Sequence, residues 1–155
     1  MSSSPATVRL ASLADVETVA ALFDAYRQFY EQAPDLGVAT AFIRARLDAG
    51  ESVILLAEPA DGSAPIGFCQ MYPTFCSVEA APIYALYDLF VTPAARGSGA
   101  GAALLQAAEA HARATGRVRM DLTTARTNRT AQRLYESLCW VRDEVFLAYN
   151  RRVAG

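Results

Sequence analysis

One stretch, "PAARGSGAGAALL" at residues 93–105, constrains this chain more than any other. Gly97, Gly99 and Gly101 alternate with small residues, Arg96 stands in front of them, and a run of helix formers follows. Just upstream, "IYALYDLFV" (83–91) is strongly apolar and reads as a strand buried on both faces, central in its sheet. A loop that leaves a buried strand and opens a helix through glycines is suited to holding an anion. The helix N-terminus offers free N–H groups and the positive end of a dipole. Glycine lets the backbone approach a phosphate closely and adopt φ > 0. Gly97 to Ala102 would form the cradle, and Arg96 would add charge. The competing reading is a tight turn whose glycines serve packing.

The rest of the chain supplies elements for a mixed sheet. "TVRLA" (7–11) has strand character, and Ser12 with Asp15 forms an S-x-x-D helix start. Val16, Val19, Ala20, Phe23, Tyr26 and Tyr30 follow at helical spacing. "QAPDLG" (32–37) breaks that helix; Phe42, Ile43 and Leu47 predict a second short one, with Gly50 placed to end it. "SVILLAE" (52–58) and "IGFCQMY" (66–72) read as strands joined by a hairpin-like loop. After the glycine loop and its helix, "RVRMDLTT" (117–124) is a strand. Asn128 can cap a helix with the stripe Ala131, Leu134, Tyr135 and Leu138, and "DEVFLAYNR" (143–151) closes the chain as a strand. The order β-α-α-β-β-β-α-β-α-β describes one α/β domain over residues 1–155, a mixed central sheet flanked by helices, with residues 1–6 as a flexible tail.

Composition narrows the function. The chain has 155 residues, 53% of them hydrophobic, enough for one cored domain. No run of about 18 apolar residues predicts a membrane span, and no secretory signal is visible at the start. All 14 basic residues are arginine, they are scattered, and the net charge is −2, which argues against a nucleic-acid surface. Cys69, Cys76 and Cys139 are odd in number without a C-x-x-C pair, so a zinc site or disulfide framework is not expected. Thiols in a reducing cytoplasm are the simplest reading. No metal is called for.

The phosphate ligand can be narrowed too. A Walker A loop requires G-K-[ST], and the chain has no lysine. Gly97, Gly99 and Ala102 formally match a dinucleotide G-x-G-x-x-A, with Asp121 downstream. Against that, "TPAAR" separates the strand from the first glycine, and too little chain follows for a doubled nucleotide fold. Coenzyme A also carries a pyrophosphate. Here "DLFVTPAARGSGAG" resembles the acyl-CoA-binding segment of the GCN5-related N-acetyltransferase (GNAT) family, with Arg96, Gly99 and Gly101 on its [RQ]-x-x-G-x-[GA] core. Farther on, "TNRTAQRLYESLCW" resembles the second signature of that family, keeping Asn128, Ala131 and Tyr135 in step. "YDLFV" and "YRQFY" look most like the branch labelled histone or polyamine acetyltransferase-like.

The resemblance implies an N-acetyltransferase using acetyl-CoA, with an amine attacking the thioester directly in a ternary complex. It implies that Leu89, Phe90 and Val91 offer backbone groups to pantetheine, and that Gly97, Ser98, Gly99, Ala100, Gly101 and Ala102 hold the pyrophosphate beside Arg96. Asn128 would bond the cofactor arm, near Ala131, and Tyr135 would face the sulfur as thiolate leaves. Read from its helix alone, Tyr135 is equally a core tyrosine. A tyrosine of pKa about 10 protonates a thiolate of pKa about 8.5 uphill by about 2 kcal/mol, so a hydrogen bond that strengthens with developing charge is the simpler role. A rival reading is a non-catalytic acyl-CoA sensor.

Two departures from the family pattern stand out. Cys139 occupies a position usually held by glycine, before Trp140, so that turn is expected to differ. Tyr87 stands where some relatives have glutamate, which leaves the general base open. Asp88 is a candidate and equally a structural carboxylate; Glu79, Tyr72 and Tyr84 could act through water, and His111 reads as a boundary residue. Acceptor recognition is expected from the first two helices and nearby residues: Tyr26, Tyr30, Glu31, Asp35 and Tyr87, where aromatics and acids could receive a cation. The acceptor would be a small-molecule amine or a lysine side chain, and the last strand could pair across a homodimer.

Overall fold

A computed structural model describes residues 6–155; residues 1–5, most of the expected tail, lie outside it. The described chain forms two compact units, the first running to Thr123 and the second from Thr124 to Gly155.

The first unit is a five-stranded sheet in the order β1-β2-β3-β4-β5, with β1 Thr7–Leu10, β2 Val53–Glu58, β3 Gly67–Cys76, β4 Ala81–Val91 and β5 Met120–Asp121. All neighbours are antiparallel except β4 and β5, which run parallel. Strand β4 is thus fourth of five, and β3 is the middle strand. The helices are α1 Val16–Phe29, α2 Leu36–Asp48 and α3 Ala100–Ala114. Ser12 opens a 3-10 turn over Leu13–Asp15 that leads into the first, its N–H donating to Asp15 Oδ2 at 2.8 Å as the S-x-x-D pattern predicts. The second begins earlier than its apolar stripe suggests, because Asp35 caps it by accepting from Val38 N–H at 3.0 Å.

Strand β2 is buried on both faces because helices cover both. Ile54 and Leu56 join Phe68 and Phe90 in a cluster with Val19, Phe23 and Ile43 of α1 and α2. By the period of two, Leu55 and Cys69 point the other way, to the face where α3 packs through Leu104, Leu105 and Ala108.

Helix ends share one device. The N–H of Gln32, Glu51 and Arg117 reaches back to the carbonyl of Arg27, Arg46 and Ala112 at 3.0, 2.9 and 2.9 Å. These are Schellman closures, each with a left-handed residue between: Glu31, Gly50 and Gly116.

The second unit holds α4, Arg129–Ser137, as the sequence predicts. The expected strand over 143–151 is not formed. Asp143 Oδ1 accepts from the N–H of Val145 at 2.8 Å and Phe146 at 3.0 Å, which folds this stretch into a side-chain-closed turn instead of a ladder. The strand expected over 117–124 is also shorter, although Val118 N–H to Pro82 O (3.0 Å) and Tyr84 N–H to Arg119 O (3.1 Å) extend its pairing backwards.

Candidate active site

Strands β3 and β4 lose register at one place. Gln70 faces Asp88 and Met71 faces Leu86, so Tyr87 is left over as the extra residue of a β-bulge. Bulges re-aim side chains, and this one does. Tyr87 is exposed and its ring lies 5.3 Å from that of Tyr72. Its carbonyl accepts from Tyr26 Oη at 3.1 Å, tying α1 to the bulge. At almost the same point β4 parts from β5, which pairs only at Tyr84 and Ala85. From Leu86 to Val91, β4 has no ladder partner on that side among the described strands.

Asp88 is buried, and its Oδ2 accepts from Gln70 Nε2 at 2.6 Å. Gln70 is fully buried too, and its Oε1 has no partner among the described residues. Burial pushes the Asp88 carboxyl above the usual carboxylate range; the hydrogen bonds from Gln70 and Tyr26 pull it back only in part. Such a carboxylate is a better base than a solvated one. Asp88 lines a cavity of about 740 Å³, together with Phe23, Tyr26, Arg27, Phe42, Arg46, Glu51, Tyr72 and Tyr87. That volume suits a small organic molecule. Tyr72 is held protonated there, its pKa pushed up to about 12 by burial and then by the Asp88 charge.

Beyond β4, a short turn over Pro93–Ala95 leads to the glycine loop. Gly97 and Gly99 have φ of +82° and +89°, and a Cβ added at either would meet no atom within 4 Å. Positive φ, with open space outside, is the condition under which glycine serves a close ligand as well as a turn. Gly99 caps α3, and the first helical bond runs from Ala103 N–H to Gly99 O at 3.0 Å. The N–H groups of Ala100, Gly101 and Ala102 therefore precede the ladder and are free to bind an anion. Arg96 is partly engaged: its Nε donates to Val91 O at 3.1 Å, and its guanidinium lies 5.5 and 5.7 Å from the rings of Phe29 and Phe90. It braces the loop against β4.

In the second unit, Asn128 caps α4, its Oδ1 accepting from Ala131 N–H at 3.1 Å. At the other end, Trp140 N–H donates to Tyr135 O at 3.0 Å and Cys139 N–H to Glu136 O at 3.1 Å. The rings of Tyr135 and Trp140 lie 6.0 Å apart, the apolar contact of a Schellman motif. Cys139 has φ of +69°. The turn therefore does not change to suit cysteine; the left-handed geometry is kept and cysteine is strained into it.

Several predicted residues lie elsewhere. Tyr30 and Glu31 are exposed at the end of α1, where Glu31 takes the left-handed position, and neither lines the cavity. Asp35 is occupied as a cap, and its own N–H donates to Asp24 Oδ1 at 2.9 Å. Glu79 is paired with Arg119 at 2.7 Å on the surface. Tyr84 is buried away from the cavity beneath Arg117, with His111 half-buried beside it. The residues that sequence reasoning missed are Gln70, Arg27 and Arg46. A basic residue in a last helical turn reads as complementing the dipole, which hid both arginines. Gln70 in an apolar strand was the available signal for a buried polar pair.

Among the described residues, no group of three or more histidines, cysteines, aspartates or glutamates could hold a metal, and no helix is long and apolar enough to cross a membrane.

Comparison with known proteins agrees with this geometry. The model of the acetyltransferase (GNAT) family matches residues 19–139. A Bacillus subtilis (strain 168) protein described as the uncharacterized N-acetyltransferase YhfO is 47% identical over 142 residues, 92% of this chain and 94% of that protein. A Haemophilus influenzae protein described as a probable acetyltransferase is 33% identical over 95 residues, 61% of this chain and 64% of that one. A crystal structure of a probable acetyltransferase superposes with a TM-score of 0.89 at 34% identity, covering 96% of this chain and 98% of that one. The chain belongs to the GNAT acetyltransferase family. It is an N-acetyltransferase, built on the mixed α/β sheet of that family.

Proposed function

We propose that this enzyme transfers the acetyl group of acetyl-CoA to a primary amine, with both substrates bound at once. The carrying observation is the course of β4. One strand runs from the cavity, through the bulge and Asp88, along an unpaired edge, into a loop with free N–H groups. An amine bound in the cavity and a thioester laid along that edge would meet near Asp88.

The cofactor assignments are those implied by the family signatures. Of Leu89, Phe90 and Val91, Phe90 faces its ladder partner Phe68 and Val91 O already accepts from Arg96, so the Leu89 groups and the Val91 N–H would hold pantetheine, and the cradle from Gly97 to Ala102 the pyrophosphate. Asn128, beside Ala131, would bond the arm through its side-chain N–H groups, since its Oδ1 serves the cap. The match of the family model across both compact units supports reading them as one catalytic domain. Three free cysteines suit a reducing compartment, and we assign the reaction to the cytoplasm.

In the chemical step, the neutral amine nitrogen attacks the thioester carbonyl. The C–N bond forms, the C–S bond breaks, and the sulfur leaves as thiolate. The amine loses one proton to Asp88, directly or through water, and the thiolate is stabilised by a hydrogen bond from Tyr135. The products are an N-acetyl amide and free CoA, the proton taken by Asp88 balancing the thiolate that leaves; a net proton is released only when the amine arrives as its ammonium form. The raised Asp88 carboxyl supports its role as base. Binding both reactants in line supplies much of the acceleration. Continuous measurement of thiol release from acetyl-CoA tests the reading: release must depend on added primary amine. Amine-independent release, or none with any amine, would contradict it.

A further inference from the structure

The cavity beside Asp88 is lined by two guanidinium groups, each with a buried donor that has no partner among the described residues. Arg27 lines it from the last turn of α1 and Arg46 from the last turn of α2. Arg27 forms no ion pair or side-chain hydrogen bond among the described residues, and its Nη1 is buried without a partner. Arg46 lies 4.6 Å over the Phe42 ring, and its Nε is also buried without a partner. Among the described residues its only ion pair is to Glu51 at 3.6 Å, where the glutamate side chain is 55% exposed. A pair so long and so wet neutralises little. The other acid on the cavity, Asp88, is already bonded to Gln70. Buried donors of charged groups normally have partners. The partners missing here are anionic oxygens, for which the planar guanidinium fork is suited.

We infer that the acceptor is an amine that also carries an anionic oxygen group, a carboxylate in the first instance, bound by Arg27 and Arg46 while its amine lies toward Asp88. The inference rests on the acetyl-transfer reading and names the substrate class of that site. It reverses the expectation of a cationic acceptor drawn from Tyr30, Glu31 and Asp35. A polyamine would set a second positive charge against two guanidinium groups.

The test compares acceptors that differ only in charge, with acetyl-CoA and a thiol-release readout. An ω-amino acid is set against the amino alcohol of the same chain length, the diamine and the aminoalkyl phosphate. The acid or the phosphate should exceed the alcohol in kcat/KM by at least about tenfold, with the diamine lowest. The ratio of acid to phosphate tells which anion the fork prefers. In Arg27→Gln and Arg46→Gln, the preference for acid over alcohol should collapse to within about twofold through KM. Arg27→Lys, which keeps charge but loses the fork, should retain part of it. Equal use of acid and alcohol, or preference for the diamine, would overturn the inference. If no amine supports thiol release, the transfer reading fails first. Calorimetry of the ω-amino acid with the CoA-bound protein then decides this inference alone: binding weakened by Arg27→Gln sustains it, and absence of binding ends it.

Discussion

Gln70 Nε2 donates to Asp88 Oδ2 at 2.6 Å between two buried side chains that face each other across β3 and β4. The bond lies one residue from the bulge at Tyr87 and opens on the cavity. It fixes the carboxylate in one orientation, with Tyr26 as a second hydrogen-bond donor to it. It also gives a protonated Asp88 a use, since a carboxyl O–H could satisfy the orphan Gln70 Oε1.

That relationship sets a pH signature. The folded state raises the Asp88 pKa, so it binds this proton more tightly than the unfolded chain does. The contribution to stability is therefore fully present below the ordinary carboxylate pKa and is lost as pH rises through the raised value. Asp88→Asn keeps the shape and removes the buried charge. Its Tm relative to wild type should rise between pH 4 and pH 8, while its turnover falls by about a hundredfold or more. Melting and initial rates across that range check both; a Tm difference independent of pH, with turnover intact, would mean that folding does not raise the Asp88 pKa and that Asp88 is not catalytic.

Gly99→Val should weaken CoA binding by at least about tenfold. The substitution places a branched side chain at φ +89°, over the free amides that open α3. Calorimetry with CoA measures the loss, and circular dichroism verifies that the sheet persists. Unchanged affinity would remove the cradle.

Tyr135→Phe deletes only a hydroxyl and leaves the ring packed on Trp140. Turnover should fall by about tenfold to a thousandfold, with CoA affinity nearly unchanged. Wild-type turnover would reduce Tyr135 to its part in the helix end.

Much of this was legible in the chain. Alternating and helical patterns locate all four helices and the first four strands, because burial imposes those periods. The glycine loop and the capping residues Ser12 and Asn128 were readable because their chemistry is local. The cavity was not. Its lining comes from α1, α2, β3 and β4, and only the tertiary fold brings Arg27, Arg46, Tyr72 and Asp88 to one wall. Tyr87 and Asp88 were flagged through the family resemblance, but the bulge that separates their directions depends on the register with β3. The last strand failed because Asp143 closes a turn on its own neighbours, a competition that alternation cannot reveal.

Cys139 supplies an independent check on the helix end. It stands at φ +69°, where a side chain is disfavoured by about 1 kcal/mol. Cys139→Gly should raise Tm, and Cys139→Ala, which keeps a Cβ, should not. Equal effects of the two would assign the change to loss of the thiol.

The most direct test of the account follows the acetyl group itself. Enzyme, acetyl-CoA labelled in the acetyl carbon, and a primary amine are mixed, and both protein and small molecules are weighed by mass spectrometry while initial rates are recorded over both substrates. Direct attack in a ternary complex predicts one labelled amide for each CoA released, unlabelled protein throughout, and intersecting reciprocal plots. Labelled protein accumulating ahead of product, with parallel plots, would show a covalent acetyl-enzyme and contradict the mechanism.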